Sequence, residues 1–317
     1  MPTLSDPLRL PCGAVLRNRL AKAAMTEGLA DAFNRATERH VTLYRRWAKG
    51  GSGLLLTGNV MVDRRYLERP GNVAIDGPQT AEQRSALCAY ARAATENGAA
   101  IFVQLSHAGR QTPSYVAAEP VGPSAVALKI PGGGYGKPKA LTGFEIENVI
   151  ARFADAALEC KRAGFSGVQI HAAHGYLISE FLNPNANRRE DEWGGSLENR
   201  AKLLMRTIRA TRAQVGSGFP LSVKLNSSDF QKGGYSFEEC LEVVRWLNEE
   251  SVDLLEISGG SYEQPMMIGL GGALEPIVET GAKQSTVQRE AYFLEYAEKV
   301  AAVAKMPLMV TGGFRSR

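Results

Sequence analysis

Short apolar runs recur along this chain, separated by segments that mix apolar and polar residues. Each run is six to nine residues long, which suits a strand buried on both faces and is too short for a typical helix. The seven runs are LAKAAM (20–25), GLLLTGNVM (53–61), AAIFVQL (99–105), GVQIHA (167–172), LSVKLN (221–226), DLLEIS (253–258) and PLMVTG (307–312). This pattern predicts seven buried strands.

The segments between the runs have the spacing of amphipathic helices. In the third segment, apolar residues from Ile150 to Leu158 recur at intervals of three and four and share one face. Ser196 stands at a predicted N-cap, and Gly164 stands at a predicted C-cap. The predicted helices are Thr37–Lys49, Thr80–Glu96, Ile146–Ala163, Ser196–Gln214, Phe237–Glu250 and Gln288–Ala304. Strands and helices therefore alternate, as they do in parallel βα units.

The loops that follow the strands indicate which α/β architecture is present. Three of them are long, at 106–141, 173–195 and 259–287, whereas most loops that follow helices are short. In a (βα)8 barrel the strand-to-helix loops build the active face. A doubly wound open sheet is the alternative, but its early G-x-G-x-x-G is not found in the sequence. The sequence therefore predicts an α/β fold of the (βα)8 TIM-barrel type.

The strand count adds a further expectation. The seventh run is followed only by GFRSR, whereas a closed eight-stranded barrel needs one more strand. We therefore expect a single barrel domain over residues 1–317 from which the last βα unit is missing.

Composition and charge narrow the functional class. The 317 residues are 44% hydrophobic and 22% charged, which is typical of a globular protein. The net charge is +4 without a block of like charges, so neither a nucleic-acid partner nor a membrane partner is expected. Four cysteines without a C-x-x-C pair, and no signal-like or membrane-spanning stretch, indicate a cytoplasmic protein.

The stretch VQIHAAHGYLISEFLNP carries the strongest chemical signal. His171 ends the fourth predicted strand, and His174 and Tyr176 follow in its loop, so all three can project into the mouth of a barrel. Imidazoles can donate hydrogen bonds to an oxygen that gains negative charge, and a phenol can deliver a proton. A capped strand end with satisfied histidines is the alternative. A zinc site is disfavoured because a third protein ligand is not apparent, and we predict no metal.

Several motifs together resemble the Old Yellow Enzyme family of flavin oxidoreductases. The resemblance rests on HAAHGYLISEFLNP and NRREDEWGGSLENR, with NRLAKAAMT, QLSHAGRQ and VTGGFR in the same order and at similar spacing as in the family. It extends from about Leu8 to the last residue. The resemblance implies a (βα)8 barrel that holds one non-covalent FMN at the carboxyl ends of the strands.

The resemblance also implies roles for individual residues. His171 and His174 match the pair that holds the substrate carbonyl oxygen, and Tyr176 matches the phenol that protonates the alpha carbon. The residues that match FMN-contacting positions are Met25, Thr26, Gly58, Gln104, Lys224, Gly312, Gly313 and Arg315. Among these, the Thr26 hydroxyl is expected to bond flavin O4, the Gln104 amide the pyrimidine edge, and the last three the phosphate.

Lys224 departs from much of the family, which has arginine at the matching position. A cation inside the apolar run LSVKLN needs a partner, and the flavin pyrimidine edge would supply one. Lysine keeps the charge but lacks the two-pronged guanidinium. A Schiff-base lysine of an aldolase-type barrel is the alternative, and it leaves the trio of His171, His174 and Tyr176 unexplained.

The implied activity is that of an NAD(P)H:flavin oxidoreductase, or ene-reductase. Hydride is expected to pass from NADH or NADPH through flavin N5 to the C=C bond of an alpha,beta-unsaturated carbonyl compound, in ping-pong order. The expected partners are small molecules, and self-association is left open. The alternative is a truncated, non-catalytic barrel remnant that does not retain FMN.

Overall fold

The computed structural model describes residues 2–130, 132–264, 293–312 and 314. Contacts along the chain divide it into two compact units. The first unit comprises residues 1–108, 143–170 and 206–222, and the second comprises residues 109–142, 171–205 and 223–317. That residues 1–317 form a single domain remains a prediction.

Eleven strands lie within the described residues, and seven of them belong to one sheet. In chain order the strands are β1 (Leu8–Arg9), β2 (Val15–Leu16), β3 (Ala21–Lys22), β4 (Leu54–Met61), β5 (Ala100–Ser106), β6 (Val121–Gly122), β7 (Lys139–Ala140), β8 (Gly167–Ala172), β9 (Leu221–Asn226), β10 (Leu254–Ser258) and β11 (Leu308–Val310). The sheet has the order β3, β4, β5, β8, β9, β10, β11.

This strand order decides between the two α/β architectures. Every sheet strand lies next to the one that precedes it in the sheet's chain order, and the pairs β3–β4, β4–β5, β5–β8 and β10–β11 are parallel. A doubly wound sheet reverses its strand order at a switch point, and this order has no reversal. The fold is therefore of the (βα)8-barrel class, and the described residues supply seven strands of its sheet.

The burial of the sheet explains why apolar runs in the sequence predicted its strands. Every residue of β4, β8, β9 and β10 is buried. A parallel sheet covered on both faces requires continuous rather than alternating apolar residues. Each of the seven predicted strands overlaps one strand of the sheet, and six contain it completely, so this prediction is confirmed.

Five of the six predicted helices are confirmed with ends shifted by at most three residues, and a short helix at Leu177–Leu182 was not predicted. The sixth, Gln288–Ala304, is confirmed over Leu294–Ala301, and its first five residues lie outside the described residues. The helices are α1 (Glu38–Ala48), α2 (Ala81–Thr95), α3 (Gly143–Arg162), α4 (Leu177–Leu182), α5 (Leu197–Val215), α6 (Phe237–Leu247) and α7 (Leu294–Ala301). The Ser196 hydroxyl accepts the backbone N–H of Asn199 at 3.3 Å, as expected of an N-cap. Gly164 ends α3 with φ +89°, a left-handed conformation that favours glycine.

The remaining strands form two small ladders that the sequence did not predict. β1 pairs with β2 in antiparallel register, and β6 pairs with β7 in the loop that follows β5. Each of these strands has only two residues, so none shows a periodic pattern.

Candidate active site

The second unit brings together the two histidines and the tyrosine of the stretch VQIHAAHGYLISEFLNP. The His171 ring centre lies 5.0 Å from that of His174 and 4.8 Å from that of Tyr176. His171 belongs to β8, and Tyr176 is the N-cap of α4. All three side chains are buried, and His171 is only 2% exposed. The structure therefore forms one compact cluster from residues that span a strand, a turn and a helix start.

An unusual turn positions His174. His174 has φ +64° and Gly175 has φ +75°, so two successive residues are left-handed. Only glycine adopts this conformation without strain. The backbone N–H of His174 donates to Asn226 Oδ1 at 3.1 Å, and its Nε2 lies 2.7 Å from Ser258 Oγ. Residues of β9 and β10 thus hold both the backbone and the ring of His174.

The hydrogen bond at the other imidazole fixes its tautomer. The backbone N–H of Ala173 donates to His171 Nδ1 at 3.2 Å. A neutral imidazole that accepts at Nδ1 carries its proton on Nε2. His171 therefore presents an Nε2–H donor.

Both imidazoles are neutral near pH 7. Burial is the main cause that lowers the pKa of His171, and the nearby Lys224 charge lowers it further. Burial and Lys224 likewise lower the pKa of His174, with a smaller contribution from His171. Loss of water and a nearby cation both disfavour the imidazolium form.

Lys224 has a carboxylate partner that the sequence analysis overlooked. Lys224 Nζ lies 2.9 Å from Glu256 Oε1, and the two side chains are 2% and 0% exposed. The sequence carried a signal for it, because Glu256 is a charged residue in the middle of the predicted strand DLLEIS. A buried ion pair thus links neighbouring strands β9 and β10.

A second tyrosine accompanies the predicted phenol. The hydroxyl oxygens of Tyr176 and Tyr262 lie 3.0 Å apart, and the ring centres lie 5.9 Å apart. Tyr262 follows β10 by four residues and is half-buried. The sequence analysis did not single it out, because one tyrosine in a long loop carries no periodic or spacing signal.

In the first unit, a hydrogen-bonded chain joins two of the predicted cofactor contacts. The Thr26 hydroxyl donates to Glu68 Oε2 at 2.8 Å, and Asn59 Nδ2 donates to the same oxygen at 2.8 Å. Gln104 Nε2 then donates to Asn59 Oδ1 at 2.7 Å. Glu68 and Asn59 were not predicted as site residues. We call these four residues the Glu68 network.

Glu68 sets the direction of every bond in this network. An ionised carboxylate only accepts, so Asn59 must donate its amide N–H and turn its oxygen toward Gln104. Gln104 must then donate through Nε2, which leaves its Oε1 atom as an acceptor. This oxygen is buried and accepts a hydrogen bond from none of the described residues.

The number of available protons also limits the hydrogen bonds of Thr26. A hydroxyl has one proton, and Glu68 receives it here. The bond from Thr26 to a flavin carbonyl oxygen therefore requires the hydroxyl to turn away from Glu68.

The other predicted cofactor contacts lie in different settings. Gly58 donates its N–H to Glu27 Oε1 at 3.0 Å, and a Cβ at this position would lie 2.5 Å from the Met25 carbonyl oxygen. Met25 itself is 53% exposed. Gly312 has φ +112°, and Gly313 and Arg315 lie outside the described residues.

A buried carboxyl anchors the loop that follows β5. Glu180 Oε1 accepts the backbone N–H of Arg110 at 2.8 Å, and burial raises the pKa of Glu180 to about 8. Gly109 has φ +59°, and a Cβ at this position would lie 2.4 Å from the same oxygen, so glycine is favoured here. Arg110 itself pairs with Glu263 at 2.7 Å.

Comparisons with known proteins identify relatives over nearly the whole chain. The model of the NADH:flavin oxidoreductase / NADH oxidase family matches residues 4–317. An NADH-dependent flavin oxidoreductase of Hypocrea jecorina is 40% identical over 334 aligned residues, covering 99% of this chain and 80% of that protein. A relative of the same description from Neonectria is 36% identical, and the match covers 42% of its length.

Solved structures resemble the chain as well. An Old Yellow Enzyme homologue from Zymomonas mobilis has a TM-score of 0.79 at 27% identity, covering 99% of this chain and 83% of that one. A 2-naphthoyl-CoA reductase in complex with 2-naphthoyl-CoA has a TM-score of 0.87 at 28% identity, covering 99% of this chain and 47% of that one. Within the described residues, no helix has both the length and the apolar character needed to cross a membrane.

Proposed function

The chain belongs to the NADH:flavin oxidoreductase / NADH oxidase family, and we propose that it reduces the C=C bond of alpha,beta-unsaturated carbonyl compounds. Membership of this family makes the chain an oxidoreductase that uses FMN with NAD(P)H as the electron donor. The cluster of His171, His174 and Tyr176 is the observation that carries the finer proposal.

The side chain of Gln104 suits FMN for a reason that is independent of family membership. Gln104 holds a buried Oε1 that accepts from none of the described residues, and the Glu68 network fixes it as an acceptor. Leaving such an atom unpaired costs about 1–3 kcal/mol. The N–H on the pyrimidine ring of FMN is a donor of the required type. Gln104 would therefore bind the pyrimidine edge.

Bound FMN would supply the two-electron centre for hydride transfer from NAD(P)H to the alkene, in the ping-pong order that the family resemblance implies. The His171 Nε2–H can donate to the substrate carbonyl oxygen, since its Nδ1 atom is already used as an acceptor. A donor aimed at an oxygen that gains negative charge favours addition to the conjugated alkene.

Neutrality of the two imidazoles suits this role. A neutral imidazole donates a hydrogen bond without giving up its proton, so the carbonyl oxygen is polarised and the proton stays on the enzyme. His174 shares its Nε2 with Ser258 Oγ, which holds the ring in place. Lowered pKa values keep both rings in this form.

Tyr176 is the proposed proton donor to the alpha carbon. Its ring is buried next to His171, and its hydroxyl is in contact with the Tyr262 hydroxyl. When Tyr262 donates this hydrogen bond, the Tyr176 oxygen accepts it and the Tyr176 proton can point toward the alpha carbon. Proton donation by a positioned side chain is typically worth about 10²–10⁴-fold in rate.

Lys224 is proposed to favour the reduced cofactor. The Lys224–Glu256 pair places a fixed cation in a buried strand, and a nearby cation stabilises negative charge that a flavin gains on reduction. The cytoplasmic location and any self-association stay predictions.

The test is a two-step spectroscopic experiment on the purified protein. Bound FMN should give a yellow solution that NADH bleaches without oxygen, and methyl acetylacrylate, a neutral enone, should then restore the colour. If NADH bleaches the protein and no enone restores the colour, the substrate class is wrong. A colourless protein that gains no flavin spectrum on addition of FMN would contradict the whole proposal.

A further inference from the structure

A basic cavity lies in the second unit, in the loops that follow the sheet strands. Its volume is about 360 Å³, and its lining includes Arg110, Lys129, Arg188, Lys232 and Glu263. Four cations thus surround one carboxylate. Cavities of this size class hold small-molecule ligands in many proteins.

The single carboxylate is already committed to the protein itself. Glu263 Oε2 accepts from Arg110 at 2.7 Å, and Glu263 Oε1 accepts the backbone N–H of Lys129 at 2.9 Å. Arg110 and Glu263 are both buried. The carboxylate therefore neutralises one of the four cations and leaves three.

The three remaining cations lack anionic partners in the part of the chain that the structure describes. No described carboxylate forms an ion pair with Lys129, Arg188 or Lys232. Arg110 adds a further unmet group, because its Nε atom is buried and bonds to none of the described residues. Clustered cations that share a concave surface raise the local concentration of anions.

The cavity shares a loop with Tyr262, the hydrogen-bond partner of the proposed proton donor Tyr176. Glu263 directly follows Tyr262, whose hydroxyl contacts that of Tyr176. The backbone N–H of Tyr262 donates to Gln111 Oε1 at 3.4 Å, and Gln111 directly follows Arg110. In each of these two loops, one residue lines the cavity (Arg110 or Glu263) and its direct neighbour contacts or belongs to the tyrosine pair (Gln111 or Tyr262).

From this placement we propose that the cavity binds an oxyanion, either carboxylate or phosphate, carried by a ligand whose reacting end lies at His171, His174 and Tyr176. The inference rests on the proposed function and adds a charged substituent to its substrate class. The oxyanion has two sources: an acid group on the alkene acceptor, or the phosphates of the nicotinamide donor.

The test uses one charge reversal with a matched control in the FMN-loaded enzyme. Lys232→Glu changes an exposed side chain in the cavity, and Lys49→Glu makes the same change at an exposed lysine just after α1. The acceptors are acetylacrylate and its neutral methyl ester. The donors are NADH and the uncharged N-benzyl dihydronicotinamide.

Each result identifies a source or overturns the proposal. If the acceptor carries the anion, Lys232→Glu raises KM for acetylacrylate roughly tenfold and leaves KM for the methyl ester unchanged. If the donor carries it, KM rises by a similar factor for NADH and not for the benzyl donor. Added salt should shrink either difference, since it screens exposed charges. Equal changes for charged and neutral partners, or the same changes in Lys49→Glu, would overturn the subsite.

A binding measurement separates this proposal from the proposed function. The wild-type protein should bind inorganic pyrophosphate in a calorimetric titration, and Lys232→Glu should lose most of that binding while Lys49→Glu keeps it. If the enzyme reduces no enone yet shows this pattern, the proposed reaction fails and the subsite stands. If the wild type binds no pyrophosphate and its KM values are insensitive to charge, the subsite fails alone.

Discussion

Lys224 Nζ lies 2.9 Å from Glu256 Oε1 in the interior of the second unit, and solvent reaches almost none of either side chain. Removal of one member of such a pair leaves an uncompensated buried charge. Lys224→Met should therefore lower the free energy of unfolding by about 3–5 kcal/mol, as measured by urea denaturation.

The double variant Lys224→Met with Glu256→Leu is the matched control. Replacement of both charges by apolar groups removes the uncompensated carboxylate, so most of the lost stability should return. A double variant that is no more stable than Lys224→Met would show that the ion pair does not account for the loss.

Tyr176→Phe should slow the oxidative half-reaction with an enone by about 10²–10⁴-fold. The reductive half-reaction with NADH should keep its rate, because it needs no proton from the phenol. Stopped-flow absorbance of the flavin measures the two steps separately. Tyr262→Phe keeps the Tyr176 hydroxyl and should cause a smaller loss, and equal slowing of both half-reactions in Tyr176→Phe would refute the donor role.

The imidazoles of His171 and His174 should stay neutral down to pH values well below 6.5, because burial and Lys224 lower both pKa values. The unfolded chain takes up these protons first, so stability should fall as the pH drops below about 6.5. Each histidine contributes at most about 1.4 kcal/mol per pH unit to this slope.

Histidine NMR signals followed from pH 8 to pH 5.5, together with urea denaturation over the same range, check this expectation. In His171→Gln the stability should depend less steeply on pH in this window. A His171 or His174 signal that titrates near pH 6.5 would contradict the neutral state that we assign.

The Glu68 network should determine how well FMN is held. Glu68→Ala removes the acceptor that orients Asn59 and, through it, Gln104. The dissociation constant of FMN should rise roughly tenfold, which corresponds to the loss of about one charge-assisted hydrogen bond. Fluorescence titration of the apoprotein with FMN measures this change.

Glu96→Ala is the control for this variant, since Glu96 forms an exposed ion pair with Arg45 in the same unit. Its FMN affinity should equal that of the wild type. An unchanged FMN affinity in Glu68→Ala would mean that Gln104 is oriented by other contacts or does not bind the flavin.

Most of the sheet could be predicted from the sequence, because strands buried on both faces, such as β4, β8, β9 and β10, require continuous apolar runs. β4 is the clearest case, with eight buried residues in a row. The two-residue strands β1, β2, β6 and β7 could not be predicted, because their pairing depends on partners that are distant in the chain or in a loop. Helix α4, with only six residues, is too short to display a period.

The same distinction applies to the candidate site. His171, His174 and Tyr176 lie within six residues of one another, so their sequence spacing was enough to predict that they share a rim. Glu68 and Glu256 could not be predicted from spacing. Glu68 contacts Thr26, which lies 42 positions away in the sequence, and Glu256 contacts Lys224, which lies 32 positions away. A single carboxylate has no pattern of its own, and only the fold shows which side chain it meets.

The left-handed turn at His174 and Gly175 has a consequence for ligand choice. Such a turn at a residue other than glycine is strained, and it persists because the His174 N–H donates to Asn226 Oδ1 and the His174 ring is hydrogen-bonded to Ser258 Oγ. The His174 imidazole is therefore held in one position and does not move to accommodate different ligands. Selectivity among acceptor substrates must then come from side chains of the surrounding loops, because the turn at His174 and Gly175 does not change.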